Sequence, residues 1–253
     1  MKNNSNGGDP FYAEVLKILK ESKFSFLVAG GFAVNALTGL RRPTKDFDIF
    51  VKAGDYPKIL NKFTSLGYRT QVHDERWIAK IFKGKYYVDM IFGSSNLVAP
   101  VNDDWFRETK TAKIFNYEVQ IPSVTDLIRS KVFIQNRERF DGSDVAHLIL
   151  LKHQEINWER LLCDMEQYWE VLLMHLLNFR FIYPSERERI PSWLLRELIS
   201  RLEHQFELPT PKMKVCRGRM FSVADYTPDV TELGFADVVG GENERNERIE
   251  RRH

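Results

Sequence analysis

The sequence predicts an α+β fold: a small mixed β-sheet flanked by helices, followed by an α-helical region. Three observations carry this expectation. Up to about residue 122, short apolar runs recur between glycine, proline or charged turns, which is the pattern of strands. From Ser123 onward the apolar residues recur at a 3.6-residue period, which is the pattern of amphipathic helices. An apolar content of 43% with 28% charged residues is ordinary for a globular protein and supplies ample material for a core.

Asp9-Pro10 reads as an N-cap followed by a first-turn proline, and Phe11, Val15, Ile18 and Leu19 form a helical stripe ending near Ser22. Phe26–Ala29 is short and apolar enough to be a buried strand, and the segment after Gly30-Gly31 is helical up to Gly39. Asp55 caps a further helix that runs through Leu66 and closes at Gly67. Strands are expected at Tyr68–Val72, Trp77–Phe82 and Tyr86–Phe92, the last two joined by Lys83-Gly84-Lys85. Residues 93–110 read as a loop or an extended segment in which Asp103 and Asp104 are solvated or capping, and Ala112–Phe115 and Tyr117–Ile121 form a strand pair. Ser123 caps a helix containing Lys131, and another helix begins near Asp141 or Gly142. Residues 155–206 read as helical throughout, with Val171–Phe181 largely buried, His175 a hydrogen-bonded core histidine and Cys163 a small helical hydrophobe. Past Pro209-Thr210-Pro211, Thr227-Pro228 starts a short helix that Gly234 ends, and Arg217 and Arg219 read as surface residues. The resulting division is a disordered leader at 1–8, a core at 9–122, a mainly helical region at 123–239 packed on it, and a charged, disordered tail at 240–253.

The 37 basic and 35 acidic residues nearly cancel, so no overall field advertises a nucleic-acid partner. Two cysteines, Cys163 and Cys216, make neither a disulfide framework nor a zinc spacing. No apolar run reaches transmembrane length and the first ten residues lack a signal-peptide core, so a cytoplasmic protein with no membrane partner is expected. Oligomeric state is not legible.

The stretch Phe26–Val51 concentrates the chemistry. Alternation in Asp46-Phe47-Asp48-Ile49-Phe50-Val51 puts Asp46 and Asp48 on one strand face and Phe47, Ile49 and Val51 on the other. Two carboxylates spaced i and i+2 lie roughly 6–7 Å apart along the strand, close enough to converge on one hard cation. Gly30-Gly31, at a helix start, lets backbone N–H groups approach a polyphosphate. Arg41, Arg42 and Lys45 lie between these two elements as candidate counter-charges, whereas Thr44 reads as a turn or cap residue. A lone Asp-x-Asp usually marks a solvated strand edge and a lone Gly-Gly a turn; strand, Gly-Gly, helix, basic step and Asp-x-Asp strand in succession form a far rarer combination. In Tyr86–Phe92, Tyr87, Asp89 and Ile91 share a face, and a charge inside that apolar strand is costly to bury without a partner.

This arrangement resembles the signature of the nucleotidyltransferase superfamily, the polymerase-β-like fold, in which a G-[GS] turn precedes a D-x-[DE] strand. With Gly-Gly, fourteen residues before Asp46, and the intervening Arg and Thr, it is most similar to the lincosamide-type and AbiEii-like branches, over about the first 150 residues. The resemblance implies the nucleotidyltransferase fold and transfer of an NMP from an NTP to a hydroxyl-bearing acceptor with release of pyrophosphate. It implies Asp46, Asp48 and Asp89 as metal-binding catalytic carboxylates for Mg²⁺, two ions in all, with Gly30 and Gly31 cradling the phosphates. The helical stretch SKVFIQNRERFDGSDVAHLI is similar to the Lys and D-x-x-D arrangement that follows the core in the AbiEii-like branch. Lys131 is thereby implied to contact phosphate, and an aspartate of the Asp141/Asp144 pair to complete the nucleotide pocket. Asp144 stands as the candidate, although spacing alone does not separate the two. Lys131 as a solvated helix residue and either aspartate as a first-turn acid remain the alternatives. The acceptor is a small molecule, a tRNA or a protein. The competing functional reading is a non-catalytic NTP-binding or interaction module of the same fold, such as a toxin–antitoxin-type component.

Overall fold

The computed structural model describes residues 8–44 and 46–238. In its first half, helix α1 (Asp9–Glu21) leads into β1 (Leu27–Val28), α2 (Gly30–Thr38), β2 (Phe47–Phe50) and α3 (Tyr56–Ser65). The meander β3 (Arg69–Asp74), β4 (Ile78–Lys83) and β5 (Tyr86–Ile91) follows, then the short α4 (Asp104–Arg107) and the hairpin β6 (Thr109–Ile114)–β7 (Tyr117–Pro122). The second half is built from α5 (Val124–Lys131), α6 (Gly142–Lys152), α7 (Trp158–Asp164), α8 (Trp169–Ile182), α9 (Ser192–Glu207) and α10 (Val223–Thr231). This is the expected α+β architecture.

The sheet is mixed, in the order β1-β2-β5-β4-β3. Only β2 and β5 run parallel, because α3 and two strands intervene before the chain returns alongside β2. Phe47, Ile49 and Val51 turn to the main core with Val88 and Met90, and α1 lays Phe11, Tyr12, Val15, Leu16 and Leu19 into the same core. Tyr12 stacks on Phe47 at 5.1 Å between ring centroids. The other face of β2 carries a separate small apolar cluster of Leu27, Ala29, Phe50, Ala99, Val101 and Trp105. The sheet therefore presents carboxylates and a second apolar patch on the face opposite the main core.

Several local expectations are corrected. Asp9 lies in the first turn of α1, and Gly8, assigned to the leader, is its N-cap; the expectations for residues 1–7 and the tail from 239 lie outside the described residues. Residues 93–110 contain α4 and the start of β6, because Trp105 buries itself against Phe50 and anchors a helical turn. The 155–206 stretch is interrupted by 3-10 turns at Glu166–Tyr168 and Pro184–Arg189. Within Val171–Phe181, Leu172, Leu173, His175, Leu176 and Phe179 are buried, but Met174 and Leu177 are exposed and Phe181 is 85% exposed. Apolar density does not say that α8 has neighbours on one side only. Cys163 is exposed rather than packed. Helix α10 begins at Val223, because the Ser222 hydroxyl accepts from the Asp225 N–H, and Pro228 falls inside it. Arg219 is buried and ion-paired with Asp237 at 2.5 Å, so only Arg217 keeps the surface position expected of both. No helix among the described residues is long and apolar enough to cross a membrane.

Candidate active site

Strand register brings the acidic residues together. Asp48 on β2 is the direct partner of Asp89 on β5, and partners on neighbouring parallel strands project from the same face. Asp46, just before β2, lies at the same end as Tyr87, whose hydroxyl donates to Asp46 Oδ1 at 2.9 Å. That hydrogen bond, reinforced by burial, pushes the Tyr87 phenol up to about 12. On β4, Lys80 is the register partner of Asp89 and places Nζ 2.8 Å from Asp89 Oδ1 and 4.2 Å from the Tyr87 ring centroid.

Asp48 is 8% exposed. Burial, and next the negative charge of Asp89, push its carboxyl up to about 6, while Arg139 and Lys131 pull in the opposite direction. Burial also raises Asp89 despite the hydrogen bond and charge of Lys80. Clustered carboxylates that resist ionisation are what a site for a divalent cation looks like without the counter-charge. All three are hard oxygen donors, the kind magnesium prefers. In the described conformation they do not close on one point: among the described residues no three acidic, imidazole or thiol groups are gathered tightly enough to hold an ion. Tyr87 holds Asp46 and Lys80 holds Asp89, so both must turn from these partners to share a cation with Asp48.

The glycine turn is fitted to this cluster more closely than the sequence suggests. Gly30 has φ +56°, and a Cβ there would lie 1.8 Å from Asp48 Oδ2. A Cβ on Gly31 would lie 2.7 Å from the Thr44 hydroxyl, which itself donates to the Asp46 carbonyl at 3.2 Å. Both glycines thus make room for the acidic strand as well as leaving backbone N–H groups open at the start of α2. Gly30→Ala combines that clash with left-handed strain of about 1 kcal/mol. It is expected to lower any reaction run at this carboxylate cluster by more than about 100-fold, a positioning loss, with a modest change in melting temperature. Single-turnover kinetics beside thermal unfolding checks this.

The helical half closes the cleft with a chain of alternating charges. Lys131, 1% exposed at the end of α5, sits 2.7 Å from both Asp141 and Asp144. Asp144 also pairs with Arg42, which reaches the Ser143 hydroxyl at 3.4 Å and His147 Nδ1 at 3.1 Å. Arg139 grips Asp141 with two parallel bonds of 2.8 and 2.9 Å. Burial would raise Asp141, but the Arg139 bonds and the Lys131 charge outweigh it and hold its carboxyl below the ordinary value. The structure therefore joins both members of the Asp141/Asp144 pair through one lysine. Arg42 is tied to α6, Arg41 is exposed, and Lys45 lies outside the described residues. Asp103 pairs with Lys52 and Asp104 with Arg107, away from the site. His175 accepts its core assignment, with Nε2 2.8 Å from the Val132 carbonyl and its pKa lowered by burial.

Between the two halves lies a half-open cleft of about 260 Å³, lined at one end by Gly30, Asp48, Lys131 and Arg139. Sequence reasoning missed Arg139, Lys80 and Tyr87. The signal for Arg139 was present, as an arginine two residues before Asp141; nothing local distinguishes Lys80 or Tyr87 until β4 and β5 are paired.

A mixed sheet that carries acidic residues on adjacent parallel strands beside a Gly-Gly helix start, closed by a helical half, is the nucleotidyltransferase fold. Residues 12–128 match the family model described as aminoglycoside-2''-adenylyltransferase, a match over just under half of the chain that supports the nucleotidyltransferase superfamily. The same match supports an enzyme of the nucleotidyltransferase type. Among solved structures, lincosamide antibiotic adenylyltransferase LnuA with lincomycin bound is 20% identical, over 58% of this chain and 98% of that one, at a TM-score of 0.42. ANT(2'')-Ia in complex with adenylyl-2''-tobramycin is 15% identical, over 70% and 99%, at 0.40. A putative nucleotidyltransferase from Thermotoga maritima is 15% identical, over 51% and 88%, at 0.37. No curated protein sequence matches the chain.

Proposed function

We propose that this enzyme transfers an NMP from an NTP to a hydroxyl group of a small-molecule acceptor, with release of pyrophosphate, in a Mg²⁺-dependent reaction at Asp46, Asp48 and Asp89. The observation that carries the reading is the direct register of Asp48 with Asp89 on parallel strands, with Asp46 on the same edge and Gly30 in contact range of Asp48.

In the reaction, the acceptor oxygen forms a bond to the α-phosphorus, the bond to the bridging oxygen of the leaving pyrophosphate breaks, and the hydroxyl proton is lost. Bound magnesium would neutralise charge on the attacking, leaving and equatorial oxygens. Asp46 and Asp48 would hold it from the donor side and Asp89 from the acceptor side. Once turned from Lys80, Asp89 is also placed to take the acceptor proton. The first N–H groups of α2, beside Gly30 and Gly31, face the phosphates together with Arg139, whose charge already acts on Asp48 and Asp46. Lys131 serves this side through Asp141 and Asp144, orienting Arg139 and Arg42 respectively. A cleft of this size favours a small acceptor over a tRNA or protein side chain, and the matched family description makes ATP the first donor to test.

The test is pyrophosphate release by the purified chain with each of the four NTPs, with and without Mg²⁺, against pooled small-molecule acceptors. Release that needs both Mg²⁺ and an acceptor is expected for at least one NTP. A protein that binds no NTP in the presence of Mg²⁺ would overturn the assignment.

A further inference from the structure

The cleft beyond Asp48 has a character that phosphoryl chemistry does not require. Phe50 and Ile91 lie two residues past Asp48 and Asp89 on the carboxylate face of the sheet, and Trp77 and Trp105 extend that wall. Phe133, just past α5, and Phe221, just before α10, stand among the lining residues contributed by the helical half. Apart from Asp48, no carboxylate lines the cleft among the described residues; its other charged groups are Arg129, Lys131 and Arg139. Lys131 and Arg139 are engaged with Asp141 and Asp144; Arg129, 5.7 Å from the centre of the Trp105 ring, pairs with Asp164 at 3.3 Å through one Nη, while its buried Nε has no hydrogen-bond partner. The buried indole N–H of Trp105 has no hydrogen-bond partner, and a hydrogen-bond acceptor is what this end of the cleft lacks.

We propose that the acceptor is an uncharged or anionic molecule presenting its hydroxyl from a flat, apolar body, and not a polycation. This rests on the nucleotidyl-transfer reading and names the substrate class of the same site. A polyamine sugar needs carboxylates to replace the hydration of each ammonium group, and the cleft offers it aromatic rings and a guanidinium. A flat apolar body finds aromatic faces at both walls and an arginine able to meet a carboxylate or stack on a ring. Trp105 and Phe50 pack with Leu27 and Ala29 on the β1 side, so strand order gives the acceptor the part of the apolar end built from Ile91 and Trp77. Gly30 follows β1 on one side of β2, whereas Asp89 and the Gly93–Asn96 segment continue β5 on the other. The acceptor hydroxyl oxygen forms the new P–O bond, pyrophosphate departs with the electron pair of the broken one, and the proton passes to Asp89 and on to solvent.

The experiment titrates the full chain with 4-hydroxycinnamate and 4-hydroxycinnamyl alcohol, and separately with tobramycin, by calorimetry in the presence of Mg²⁺ and a non-hydrolysable ATP analogue. The two aromatic probes are expected to bind and tobramycin not to. Trp77→Ala and Phe221→Ala, both at half-buried positions, are each expected to weaken the aromatic probes about tenfold, with the analogue's own affinity changed less. Tighter binding of tobramycin, no binding of either aromatic probe, or a Trp77→Ala effect confined to the ATP analogue would overturn the proposal. Binding does not require turnover, so aromatic binding without transfer would count against the transfer reading alone. Mg²⁺-dependent pyrophosphate release without aromatic binding would leave that reading standing and remove this one.

Discussion

Asp48→Asn is expected to abolish nucleotidyl transfer while making the protein more stable at neutral pH. The activity loss should exceed about 10³-fold, the scale of several kcal/mol of lost charge stabilisation in the transition state. The stability gain follows from the raised pKa. Folding lifts the Asp48 carboxyl from 3.8 to about 6, so the folded chain binds this proton more tightly than the unfolded one. The group costs nothing below about pH 4, becomes progressively unfavourable as pH rises to about 6, and carries the full penalty above that. An uncharged amide removes the penalty, on the order of 3 kcal/mol. Chemical denaturation at pH 4 and pH 8 reads this directly: the variant should gain over the parent at pH 8 and not at pH 4. A variant less stable than the parent at pH 8 would show that Asp48 is compensated by a cation in the fold, and the metal-site assignment would lose its electrostatic support.

Lys131→Met should be among the most destabilising single changes in the chain. The ammonium group is 1% exposed and is shared by two buried carboxylates. Removing it leaves Asp141 with only Arg139, and Asp144 with only Arg42, in a poorly solvated interior. Breaking such a buried pair costs about 3–5 kcal/mol, and urea denaturation should show a loss of that size. Asp144→Asn added to Lys131→Met should recover part of it, because the orphaned charge disappears. A Lys131→Met protein of unchanged stability, with only a higher KM for the NTP, would mean that Lys131 is a free phosphate ligand rather than the centre of the cluster. The distinction matters for the mechanism, because a lysine held by two carboxylates acts on the nucleotide mainly by fixing Arg139 and Arg42.

Much of the site was legible because its elements are local. Gly30-Gly31, the Asp46/Asp48 alternation and the strand position of Asp89 each follow from spacing over fewer than ten residues, and register then aligned Asp89 with Asp48. What the spacing could not show were the partners from other elements. Lys80 and Tyr87 look like ordinary strand residues until β4 pairs with β5, and Arg139 looks like one charge in a charged loop until it folds onto Asp141. The same limit explains the errors in the helical half. The apolar run of α8 reads as largely buried, yet Phe181 and Leu177 are exposed, because burial depends on which faces other helices cover. Arg219 reads as a surface cation, yet the return of the chain to Asp237 encloses it.

The amino-acid order by itself determined the α+β division, the strand that carries Asp46 and Asp48, and the glycine turn that precedes it, since backbone geometry and side-chain periodicity act over a few residues. Only the tertiary structure decided that Gly30 must lack a side chain because Asp48 occupies that space, that Lys131 serves both Asp141 and Asp144, and that aromatic rings and Arg129 line the rest of the cleft. These are contacts between residues far apart in the chain, and charge and shape at a cleft are properties of what is brought together there.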